Sequence, residues 1–98
     1  MMNKDICTAI KTKSVIKFFY NGGIREVEPY CYGVSTADND VLRGYQIGGY
    51  SKSGNTVGWK LYSVSNISQL TITDKHFASI RPDYKPNDSA MSTIYCNV

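Results

Sequence analysis

Ser14-Val15-Ile16-Lys17-Phe18-Phe19-Tyr20-Asn21-Gly22-Gly23-Ile24-Arg25-Glu26-Val27-Glu28-Pro29 is the stretch whose reading decides the fold of this chain. Its first half is β-branched and aromatic, a composition that suits a pleated surface apolar on both faces. Asn21-Gly22-Gly23 tolerates positive φ, so the chain turns back there as a hairpin. The return strand runs from Ile24 to Tyr32. Pro29 has no amide hydrogen to give to a ladder, which places this strand at a sheet edge or breaks it there.

Upstream, Asn3 can cap a short helix by accepting from free amides of the first turn. Ile6, Ala9 and Ile10 then fall at i, i+3, i+4, one apolar face over about two turns. A helix this short is unstable alone and must dock on a sheet. Downstream, a polar loop over 33–40 leads to a third strand, Val41 to Tyr50. Gly44, Gly48 and Gly49 mark it for a bulge or strong curvature. A second polar loop over 51–58 precedes a fourth strand from Trp59 to Val64 and a fifth from Ile67 to Ile72. Past Phe77 the segment Arg81-Pro82-Asp83-Tyr84-Lys85-Pro86 cannot be regular helix, because each proline drives its predecessor toward extended geometry. It should lie as an ordered strap, with Thr93 to Val98 adding an edge strand. The expected fold is mostly β (α+β). A short N-terminal helix packs on a strongly bent antiparallel sheet of five to six strands, or an open barrel, in a single domain over residues 1–98.

The bulk numbers agree with that size. Ninety-eight residues with 42% apolar and 19% charged content belong to one ordinary globular domain with a thin core. Eight of the twelve aromatic residues are tyrosines, whose apolar body and polar tip suit a half-wet sheet face. The net charge is +3, and Lys4, Lys11, Lys13 and Lys17 against Asp5 account for all of it. That falls short of the basic stripe needed to hold duplex DNA by its phosphates, but leaves small anions and short single strands open. No long apolar stretch follows the first residues, so neither a secretory signal nor a membrane span is expected. Cys7, Cys31 and Cys96 are odd in number and share no short spacing; with no export signal they are expected as reduced thiols in a cytoplasmic protein.

The catalytic options are thin, and the chain is not expected to be an enzyme. No glycine-rich phosphate loop or nucleophile elbow is present. Nothing local brings Cys31 to the lone His76 for thiol chemistry. One histidine and three scattered cysteines make no familiar metal set, and no cofactor is expected. Glu26 and Glu28 share a strand face, but such pairs are more often simply solvated. Binding has more to work with. Arg43, Tyr45 and Ile47 share one face of the third strand at period two, and Lys60 and Tyr62 share one face of the fourth. Guanidinium or ammonium groups beside aromatic rings can hold a phosphate while a base or sugar stacks alongside. The plain alternative is that these cations solubilise an outer face and the tyrosines brace cross-strand pairs.

The motif Tyr20, four residues, then Arg25-Glu26-Val27-Glu28-Pro29 resembles the hairpin of the WYL domain family, where a strand ending in Tyr is followed by an Arg-x-Val-x-Pro return strand. Lys60-Leu61-Tyr62-Ser63-Val64-Ser65-Asn66-Ile67 is similar to that family's Arg-x-Phe-x-Leu-Asp-Arg-Ile segment, and Leu70, Ile72 and Phe77 follow in place. The resemblance covers residues 6–77, leaving a C-terminal extension over 78–98. It departs from the family where Asp40-Val41-Leu42 keeps only the leucine of the name-giving tripeptide, and where Lys60 and Asn66 replace two arginines. What it implies is an Sm- or SH3-like small barrel acting as a ligand-binding, regulatory module of bacterial or phage origin. This copy would lack the usual DNA-binding helix-turn-helix. Its ligand would be a nucleotide, a cyclic nucleotide or a short single-stranded nucleic acid, held by Tyr20, Arg25, Arg43, Tyr45 and Lys60. A sensor acting on a protein partner and a nucleotide-sequestering protein both fit that description. The reading from a different class is an assembly module that pairs exposed strand edges into homo-oligomers.

Overall fold

The computed structural model describes residues 3–51 and 54–98. Helix α1 (Lys4–Thr12) starts where Asn3 Oδ1 accepts from the amides of Asp5 (3.0 Å) and Ile6 (3.2 Å), and ends at Lys13 in the left-handed region. Six strands follow: β1 (Ser14–Tyr20), β2 (Gly23–Ser35), β3 (Asp40–Gly49), β4 (Gly58–Ser63), β5 (Ser68–His76) and β6 (Met91–Asn97), with a 3-10 turn at Val64–Asn66 between β4 and β5. They form one antiparallel sheet in the order β4-β3-β2-β1-β5, with β6 added alongside β2. A mostly β, α+β architecture with one docked helix is therefore what the chain adopts. The fifth expected strand is longer than its apolar run suggested, reaching His76. Lys52 and Ser53, in the expected loop over 51–58, lie outside the described residues.

The hairpin forms as its residues require. Tyr20 pairs with Gly23 across a two-residue turn in which Asn21 (φ 44°) and Gly22 (φ 101°) both take positive φ. The reading of Pro29 needs correction. β2 is neither broken nor at an edge; it is the central strand, with β3 along one side and two strands sharing the other. β1 pairs with it up to Val27, and β6 takes over from Cys31. Pro29 sits in the gap between them, where no neighbour on that side asks for an amide hydrogen.

A bulge between Pro29 and Cys31 lets β2 serve both faces of the sheet. On the inner face, Ile6, Ala9 and Ile10 of α1 pack on Ile16, Phe18, Val27, Tyr32, Leu42 and Tyr62. On the outer face Tyr30 packs with Val15 and Phe77, and Cys31 with Val41 and Met91. The strap between β5 and β6 crosses this outer face.

The cysteine expectation also needs correction. Cys7 of α1 and Cys96 of β6 are joined in a disulfide spanning 89 residues of sequence, while Cys31 is free and buried. Burial raises the Cys31 thiol to about 11, which holds it in the protonated form at neutral pH. Among the described residues no helix is long and apolar enough to cross a membrane.

Candidate anion site and its counterpart on the opposite face

The five residues singled out from sequence do not converge; they divide between the two faces of the sheet. Tyr20, Arg25 and Lys60 belong to the inner face, and Arg43 and Tyr45 to the outer. The register explains the split. Leu42 pairs with Tyr62 and Gly44 with Lys60, so Lys60 follows the inner-face residues. Arg43 pairs with Leu61 and Tyr45 with Trp59, one step out of phase.

Arg25 is only 5% exposed. Its guanidinium carbon lies 5.0 Å from the Tyr20 ring centre, 5.7 Å from Tyr50 and 6.0 Å from Tyr62. Nε donates to the Tyr20 carbonyl (3.3 Å) and Nη1 to Gln46 Oε1 at the long distance of 3.5 Å. Among the described residues no carboxylate pairs with it. Gln46 is fully buried and also accepts from Tyr62 Oη (2.8 Å), which fixes the wall behind Arg25. Burial pushes the Tyr62 phenol well up, with the positive charge of Arg25 opposing it. Rings around a guanidinium can replace part of its lost hydration, but a buried cation without an anion is still an expensive arrangement.

Two glycines bring the ends of the hairpin and β3 together here. A β-carbon on Gly23 would strike the Tyr50 ring, and Gly49 holds φ +91° where a β-carbon would strike the Ile24 carbonyl. Only glycine at both allows Tyr50 to lie across the turn beside Arg25. Lys60 completes the group from β4. Its Nζ reaches Ser51 Oγ (3.4 Å), next to Tyr50 in sequence, and it too has no ion-pair partner among the described residues.

The outer face is built on the opposite plan, with each main charge already matched. Arg43 Nε meets Asp88 Oδ2 at 2.8 Å, and Arg81 of the strap forks onto Glu28 through Nε (2.9 Å) and Nη2 (3.0 Å). The Arg81 guanidinium lies 4.0 Å from the Tyr45 ring centre. Glu28 also accepts from Tyr30 Oη (3.1 Å), whose pKa is pushed up to about 12, chiefly by burial. Glu26 faces Lys75 (3.7 Å). Glu26 and Glu28, which share a strand face, are thus each engaged by a separate cation. Cys31 Sγ donates to Met91 Sδ (3.5 Å), while His76 pairs with Ser14 at the end of β5.

Sequence reasoning missed Tyr50, Gln46 and Tyr62 around Arg25, and Asp88 opposite Arg43. Gln46 and Tyr62 come to Arg25 through the cross-strand register and Tyr50 through the backbone past Gly49, and Asp88 stands 45 residues from its partner. No family model, curated protein or solved structure matches this chain.

Proposed function

We propose that this protein is a ligand-binding module that holds an anionic ligand at Arg25 and Lys60. The ligand class is a nucleotide, a cyclic nucleotide or a short single-stranded nucleic acid. One observation carries the reading: a guanidinium almost wholly withdrawn from water, framed by three tyrosine rings, with no carboxylate among the described residues to neutralise it. An arginine fork left with donor capacity is suited to phosphate oxygens, and Tyr50 or Tyr20 offers a face for a base or sugar. Tyr20, Arg25 and Lys60 stay in the proposed site, Tyr50 joins them, and Arg43 and Tyr45 leave it. The WYL-like, Sm/SH3-like barrel reading draws support from connectivity. β4 and β5 stand at opposite ends of the strand order yet follow each other through a single 3-10 turn, as in a sheet curling toward closure. A sensor and a nucleotide-sequestering protein, of bacterial or phage origin, would both use such a site.

The test is calorimetric titration of cyclic dinucleotides, short oligonucleotides and pyrophosphate into the wild type, Arg25→Ala and Arg43→Ala. Micromolar or tighter binding is expected, weakened roughly tenfold or more by Arg25→Ala, the scale of a lost charged hydrogen-bonding group, and unchanged by Arg43→Ala. Binding indifferent to Arg25→Ala would remove the site.

A second reading rests on the outer edges of β4 and β5, unpaired among the described residues, which could add strands from another copy or a protein partner. Solution mass separates the two. A stable oligomer with no anion affinity favours assembly, and a monomer stabilised by ligand favours binding.

A further inference from the structure

We propose that the cleft between the strap and the outer sheet face is a second, separate binding site, for an uncharged planar heterocycle of the nucleobase class. It does not depend on the Arg25 site, which lies on the other face. The cleft encloses about 260 Å³ and is lined by Arg43 and Trp59 from the sheet and by Asp83, Tyr84, Lys85 and Asp88 from the strap. Ligand sites for drug-sized molecules run from about 300 to 1,000 Å³, so this one suits a single small ring system.

Its walls and its charge define what it would take. Trp59 and Tyr84 stand 6.0 Å apart with their rings only 22° from parallel. Trp59 is held by edge contacts with Tyr30 (4.8 Å) and Tyr45 (5.4 Å), and Tyr84 by Tyr30 (5.1 Å), so neither ring must be ordered on binding. At that spacing the two rings lie against each other with no slot between them, and together they form one preset aromatic wall of the cleft, which favours a flat guest whose stacking is tolerant of ring identity.

The charges cancel. Arg43 is matched by Asp88, and Lys85 and Asp83 add one of each sign, neither in an ion pair among the described residues. A phosphate entering here would compete with Asp88 and face Asp83, whereas Arg25 and Lys60 offer an anion two cations with no paired carboxylate among the described residues. What the cleft does offer is donors and acceptors. Arg43 uses Nε and Nη2 on Asp88, leaving Nη1 without a hydrogen bond among the described residues, and Lys85 and Asp83 add a donor and an acceptor from the strap. Alternating donors and acceptors around a flat apolar ring are the edge pattern of a nucleobase.

Adenine, uncharged at neutral pH, is the probe, and pyrophosphate its counterpart without a ring. In ¹H–¹⁵N spectra of the intact protein, adenine should shift the Trp59 indole N–H and the backbone amide of Tyr84 saturably, and leave Arg25 still. Pyrophosphate should not displace it. Tyr84→Ala should weaken adenine binding roughly tenfold and Tyr84→Phe leave it nearly unchanged, as loss or retention of one stacking face implies. If Tyr84→Ala loosens the strap, the wild-type shift map decides alone. Adenine shifts absent at saturation, centred on Arg25 or abolished by pyrophosphate would each overturn the proposal. Failure of pyrophosphate to bind anywhere would instead count against the Arg25 site.

Discussion

Arg25 allows binding and stability to be separated at a single residue. A buried ion pair broken on one side is costly, but replacing buried charge by an apolar group of similar volume is often neutral or stabilising. Among the described residues Arg25 has no carboxylate to orphan; its removal would cost cation–π contacts, the bond to the Tyr20 carbonyl and the long bond to Gln46 Oε1, which keeps its short bond from Tyr62. Methionine matches the arginine stem in length and flexibility. Arg25→Met should therefore stay within about 1 kcal/mol of wild-type stability, since the lost cation–π energy and the relieved desolvation oppose each other. It should nonetheless weaken pyrophosphate binding roughly tenfold or more. Urea unfolding and calorimetry on the same preparation check both halves. A variant that loses several kcal/mol would show that Arg25 is a structural cation, selected for the tyrosine cage rather than for a ligand.

The strap over 77–90 shows how two elements are fastened by opposed charge pairs. It contributes the cation at Arg81–Glu28 and the anion at Asp88–Arg43. Asp88 is 8% exposed along its side chain, and the hydrogen bond from Arg43 holds its carboxyl below the usual range, with the Ala90 amide helping and burial opposing. A depressed carboxylate pKa gives stability that is complete above the unfolded value, about 3.9, and lost as pH falls through the folded one. Acidification from pH 6 should leave the strap in place until pH drops below about 4. It should then change the emission of Trp59, the chain's single tryptophan, as Tyr84 leaves it. Asp88→Asn should lose about 1–2 kcal/mol at pH 7, as for a charged hydrogen bond, and flatten that acid transition. An acid transition identical in the two proteins would show that another carboxylate holds the strap.

At the scale of the whole molecule, what the sequence made legible was local. The Asn21-Gly22 turn, the Asn3 cap, the tyrosine-ended strand and the strap past Phe77 each announce themselves within a few residues. The site was legible only in part, because period two orders residues within a strand but not between strands. Arg43 and Tyr45 were rightly placed together. Their relation to Arg25 depends on bulges at Glu26/Val27 and Pro29/Cys31, which shift the register of β2 against β3. Pro29 misled because its missing donor was read without knowing that β1 and β6 exchange places beside it.

The Cys7–Cys96 link was the least legible feature, since nothing near either cysteine signals a partner 89 residues away. It ties α1, which supplies Ile6, Ala9 and Ile10 to the inner core, to β6, which carries the end of the strap back to β2. Closing a loop of that length restricts the unfolded chain by roughly 4–5 kcal/mol in the chain-entropy model. Small domains have only about 5–15 kcal/mol in total, so the cross-link would be a large share. Reduction should lower the Tm by about 20 °C or more, at 4–8 °C per kcal/mol for a domain of this size. Cys7→Ala/Cys96→Ala should melt at that lower temperature with or without dithiothreitol, and hydrogen exchange should accelerate first in α1 and β6, the elements the bond holds. Such dependence would favour an oxidising compartment over the reducing cytoplasm expected from cysteine count alone. Wild-type melting unmoved by dithiothreitol, with free-thiol titration confirming that the bond had opened, would show instead that the sheet and its two clamps hold both ends of the chain without it.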